Sequence, residues 1–129
     1  MNKLTYFGPF LLLFALCGCV SKAPIPDLTP PELIQQAQAA SDKNKYTQAL
    51  RYYEAILERY PSYIDEICAA EYEIAFIHYK QKKYDQASAE FAALLTRYDT
   101  PDAELLPPQF KRLAELGLQK IAEKQRKKR

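Results

Sequence analysis

The chain holds three glycines in 129 residues, no tryptophan and a single histidine. So few glycines leave no material for the loops that cradle phosphates, and one histidine beside three cysteines gives no metal-ligand cluster at the usual spacings. An excess of one charge is lacking as well. Eighteen Lys and Arg face sixteen Asp and Glu, a net +2, which is not the footprint of a nucleic-acid binder. No segment alternates apolar and polar residues with period two, so no sheet is expected. The apolar run at residues 10–16 is far short of the roughly 20 residues a membrane-spanning helix needs. What the chain does have is 48% hydrophobic and 26% charged residues, with ten Tyr and six Phe. That composition belongs to a folded domain of ordinary globular character.

Residues 1–18 have the layout of an export signal, with Lys3, an apolar stretch interrupted by Gly8-Pro9, and a small-residue end. Leu16-Cys17-Gly18-Cys19 resembles the bacterial lipobox. The resemblance implies cleavage between Gly18 and Cys19 and acylation of the Cys19 thiol with palmitate-type chains. Several acyl chains on one cysteine hold a protein durably on a membrane. Val20 is not the Asp that keeps such lipoproteins on the inner membrane in enteric bacteria, which points to the outer membrane. Cys68, inside Ile67-Cys68-Ala69-Ala70, is then the one thiol left in the mature chain and suits a small buried hydrophobe.

Residues 19–29 carry Pro24 and Pro26 and no hydrophobic period, which predicts a lipidated, extended tether. At ~3.1 Å per residue it would reach roughly 30 Å. Thr29-Pro30-Pro31-Glu32 reads as a helix start with a capping box. Apolar periodicity predicts helices from residue 30 to about 42, from 46 to 59 before Pro61, from Ser62 as cap to about 81, and from 84 to 98. After Pro107-Pro108 a fifth helix carries Phe110, Leu113, Leu116, Leu118 and Ile121, with Gly117 marking a close helix contact. The helical domain spans residues 30–126 and a basic tail end follows at 127–129. The last ten residues hold six Lys and Arg against Glu123. Such a tail suits phosphate headgroups or an acidic surface, or else simply the negative end of a helix dipole.

Lys45-Tyr46-Thr47-Gln48-Ala49 is echoed 38 residues later by Lys83-Tyr84-Asp85-Gln86-Ala87, and Tyr53 and Leu57 by Phe91 and Leu95. A period of this size signals stacked helical hairpins. The residues resemble the tetratricopeptide repeat, with Ala37, Tyr46, Ala49, Tyr53 and Pro61 matching in the first unit and Ala75, Tyr84, Ala87 and Phe91 in the second. Leu33 and Glu71 stand where that repeat favours Trp. The implied fold is all-α: two tetratricopeptide-like hairpins and a C-terminal capping helix. His78 sits among Phe76, Ile77 and Tyr79 as a packing residue. Glu71 and Glu73, two apart on a helix, diverge and form no acid and base pair. No catalytic residue, cofactor or metal is expected.

The first helix of each repeat lines the concave side of such a stack. There Tyr72, Phe76 and Tyr79 recur at helical spacing as anchors for a partner, extended by Ile34 and Gln38. The alternative is that the fifth helix covers them within the same molecule. Lipobox, proline-rich tether and repeats together resemble, over residues 19–100, the tetratricopeptide-repeat lipoproteins of the outer-membrane β-barrel assembly machinery. The resemblance implies a non-enzymatic, lipid-anchored adaptor facing the periplasm on the outer membrane. Its partners would be the barrel insertase, other assembly lipoproteins and barrel precursors, with no nucleic acid. Members of that family have more repeats than the two read here. The alternative is a pilotin-like or transporter-associated lipoprotein of the same architecture.

Overall fold

The computed structural model describes residues 23–128, so the signal segment, Gly18 and Cys19 lie outside the described residues. Among the described residues five α-helices follow one another: α1 Pro30–Asp42, α2 Tyr46–Arg59, α3 Ile64–Lys80, α4 Tyr84–Arg97 and α5 Pro108–Arg126. A short 3₁₀ turn, Pro101–Leu105, precedes α5. Among the described residues there is no strand, and no helix is long and apolar enough to cross a membrane.

Local chemistry sets the helix ends. The Glu32 carboxylate accepts both the Thr29 amide (2.9 Å) and the Thr29 hydroxyl (2.7 Å), and these bonds hold the Glu32 carboxyl below its ordinary value. Both hairpins turn by the same device. Asn44 and Lys82 take positive φ, 56° and 61°. The amides of Lys45 and Lys83 then reach back to the carbonyls of Ala40 (2.9 Å) and His78 (3.0 Å), closing a Schellman motif 38 residues apart. The start of α3 differs from the expectation. Its cap is Tyr63 rather than Ser62, with no side-chain hydrogen bond, and Asp65 and Glu66 in the first turn face the positive end of the dipole instead.

The helices form two layers. First helices α1, α3 and α5 lie side by side, while α2 and α4 form the second layer, α2 packing on α1 and α3 and α4 on α3 and α5. Two apolar clusters fill the space between. Leu33, Ala37, Ala49, Tyr53 and Ile56 build the first, and Ala75, Ala87, Phe91, Leu94, Ala114 and Ile121 the second. Helix α3 joins them, giving Ala70 and Ile77 to the first and Cys68 and Ala75 to the second. Ala37, Ala49, Tyr53, Ala75, Ala87 and Phe91 are buried, and Tyr46 and Tyr84 are half-buried beside them. The small residues let the paired helices approach and the aromatics fill the remaining space. Pro61 departs from the packing role read for it. It is exposed in the turn beyond α2 and acts only as a helix stop.

The segment ahead of α1 is not a free tether where it is described. Ile25 and Leu28 are half-buried against the first cluster. The Arg51 guanidinium donates to the Ala23 carbonyl. Arg59 donates to Pro26 (2.9 Å) and Ile25 (3.2 Å), and the Tyr60 hydroxyl to Leu28 (2.7 Å). A proline-rich extended segment has unpaired carbonyls to offer, and α2 with its C-cap Tyr60 supplies the donors.

Candidate partner-binding surfaces

Tyr72, Phe76 and Tyr79 stand one turn apart on α3, and the helix stacks their rings. Tyr72 and Phe76 lie 5.8 Å apart at 12°, and Phe76 and Tyr79 lie 5.9 Å apart at 14°. The column continues from Tyr79 to Tyr84 of α4 (5.8 Å), and at its other end Tyr72 meets Phe91 (5.8 Å) and Phe110 of α5 (5.9 Å). All three α3 rings are half-buried. The two readings of the stripe therefore divide by residue: α5 covers part of Tyr72 through Phe110, whereas one side of Phe76 and Tyr79 stays open. Ile34 is half-buried and Gln38 exposed on α1.

Charge surrounds the column. Lys80 donates to Ser41 Oγ (2.9 Å), and its Nζ lies 5.1 Å from the ring centres of both Tyr46 and Phe76, tying α1, α2 and α3 together by cation–π attraction. Burial pushes the Glu73 carboxyl up. Lys80 opposes that shift and Asp42 adds to it. At the far end Tyr79 shares a recess of about 320 Å³ with Lys120, Glu123 and Lys124 of α5 and Lys127 just beyond it, and Lys128 Nζ lies 5.3 Å from the Tyr84 ring centre. The basic end of the chain thus borders the Tyr79 and Tyr84 end of the column and leaves Phe76 half-exposed.

On the opposite layer a larger groove, about 620 Å³, runs between α2 and α4. Leu57, Ile74, Ala93 and Leu94 form its apolar floor, and Glu71, Glu90 and Arg97 its polar edge. Arg97 binds Glu71 through both Nε (2.7 Å) and Nη2 (2.6 Å), a bidentate pair that fixes α4 on α3. Sequence reasoning did not find this groove. The available signal was Glu71 itself, a modest carboxylate at a position where the repeat favours the bulk of Trp. The Glu73 carboxyl takes no part in that pair, and the charges that act on it are those of Lys80 and Asp42.

His78 is buried between α3 and α4. Its Nδ1 lies 2.7 Å from Glu90 Oε2, and Gln86 approaches its Nε2 at 3.4 Å and donates to Glu90 at 3.1 Å. Cys68 is fully buried, and burial pushes its thiol above the ordinary range. Among the described residues no three His, Cys, Asp or Glu side chains converge as metal ligands would.

No family model matches the chain, and no solved structure matches it. A curated relative is an uncharacterized protein of Treponema pallidum (strain Nichols), 30% identical over 113 residues. The alignment covers 84% of this chain and 45% of that protein, so the chain spans less than half the length of the relative it matches.

Proposed function

We propose that the protein is a non-catalytic scaffold, anchored by acylated Cys19 to the periplasmic face of the outer membrane. It serves the machinery that assembles outer-membrane β-barrel proteins, binding the barrel insertase and barrel precursors. The observation that carries this reading is the stacked column of Tyr72, Phe76 and Tyr79. It lies half-open along the layer of first helices, where a repeat stack receives partner segments. The lipobox ahead of the helical domain supports the anchorage.

The test is purification of the tagged lipoprotein from detergent-solubilised envelopes, with mass spectrometry of what remains bound. A barrel insertase with periplasmic domains is the expected partner, and Phe76→Ser with Tyr79→Ser should release it without loss of helical circular dichroism. Recovery of a secretin or a transporter instead would replace the assembly role with a pilotin-like or transport-associated one. Metabolic labelling with a fatty acid should mark the wild type and leave a Cys19→Ser form unlabelled, and an unlabelled wild type would refute the anchor.

A further inference from the structure

Helix α5 stands to the second hairpin as α3 stands to the first. Ala70 and Ile77 of α3, seven residues apart, are buried against the first cluster. Ala114 and Ile121 of α5, also seven apart, are buried against the second. Superposing these pairs aligns residues 44 apart. Ala75, the small residue that lets α4 close on α3, then corresponds to Gln119, which is exposed. The side of α5 on which a second helix would complete a hairpin is therefore polar. The other side is not. Tyr72, whose ring Phe110 covers from α5, corresponds to Leu116, and Ala69 corresponds to Leu113. Leu116 is 43% and Leu113 36% exposed, and with Gln109 and Arg112 they line a recess of about 350 Å³. Lys120 and Lys127 continue the same face one and three turns on, against Glu123 alone.

We infer that this face of α5 docks a single amphipathic helix of a partner protein, laid alongside α5 in the layer of first helices. That helix sets an apolar or aromatic side chain over Leu113 and Leu116, as Phe110 is set over Tyr72, and carries carboxylates that meet Arg112, Lys120 and Lys127. Charge complementarity favours such a partner over a second copy of this chain, whose own α5 would bring the same cations to the contact. The α1 end of a second copy is no better suited. Its outward residues Glu32, Gln35, Gln36, Ala39 and Lys43 offer no large apolar side chain. The Leu113 and Leu116 recess is distinct from the one beside Tyr79, which the face meets only at Lys120 and Lys127, and the inference does not depend on the acylation of Cys19.

The test uses the full chain and two fluorescent stapled helical peptides with one Phe- and Leu-bearing stripe. One has glutamates flanking the stripe and the other has lysines in their place. Anisotropy titration should show the acidic peptide binding at least about tenfold more tightly. Leu113→Ser with Leu116→Ser, exposed positions whose change leaves the fold intact, should cost about tenfold, as loss of an interface anchor does. Arg112→Glu should narrow the difference between the two peptides. Equal affinity for both peptides, no binding, or binding that survives the double substitution would each overturn the inference. So would sedimentation showing that the chain self-associates through Leu116, which would assign the face to a second copy.

Discussion

Gly117 meets the ring of Phe91 so closely that a Cβ there would stand 2.6 Å from Cε2 and 2.7 Å from Cζ. Glycine inside a helix ordinarily costs ~1 kcal/mol against alanine. Here the sign reverses, because the fully buried Phe91 ring would have to shift within a filled cluster. Gly117→Ala should lower the stability of the fold by about 1–3 kcal/mol, the usual cost of overpacking. An unchanged or higher midpoint in urea would show that the ring can move aside. Glu73 is a second residue whose surroundings set a sign. Burial chiefly raises its carboxyl, so between the ordinary glutamate value and the raised one the native state keeps a proton that the unfolded chain has lost. Its contribution to stability is full below the ordinary value and is lost as pH rises through the raised one. Glu73→Gln should therefore raise the melting temperature at neutral pH and flatten its fall from acid to neutral pH. A wild-type and a variant curve that run parallel would refute this.

At the scale of the element, the two Schellman turns differ in cost. Asn44 tolerates a left-handed backbone, whereas Lys82 at φ 61° does so at a penalty. Lys82→Gly should stabilise the second hairpin by about 0.5–1 kcal/mol, read as a rise in the unfolding midpoint; a fall would mean that the lysine side chain holds the turn. The segment ahead of α1 is the second case. Arg59→Ala with Tyr60→Phe removes three of its donors, and limited proteolysis should then cut ahead of Thr29 several-fold faster while α1 to α5 stay resistant. An unaltered cleavage rate would mean that Ile25 and Leu28 hold the segment by packing alone. This element also marks the boundary of what is legible in the sequence. The bounds of α2, 46–59, follow from periodicity and Pro61, because both act within a turn or two of the chain. The docking of Ile25 and Leu28 is written in donors some thirty residues away, aimed at backbone carbonyls that carry no residue-specific signal. The stripe on α3 is legible as a stripe. That Phe110 covers Tyr72 and leaves Phe76 and Tyr79 partly open depends on where a distant helix settles. The cap of α3 differs for a local reason, since Ser62 sits one residue before the position whose geometry matters.

Across the whole molecule, α3 belongs to both apolar clusters, so neither hairpin can lose its packing without stripping the other of one side. In a stack of repeats such sharing converts separate units into one cooperative transition. Urea unfolding followed by helical circular dichroism and by the reactivity of buried Cys68 should therefore coincide, and a thiol that reacts ahead of helix loss would show the second hairpin opening alone. The strapped segment has one more consequence, in mechanical terms. If the anchor is Cys19, as proposed, only three residues would separate it from Ala23, a reach of about 14 Å at full extension, less than half that of a free tether. A pull on that proposed anchor would be borne first by Arg51 and Arg59 of α2 and by Tyr60 just beyond it. Such a load would enter the first hairpin in shear through α2, and the first turn of α1 would be spared from being peeled open.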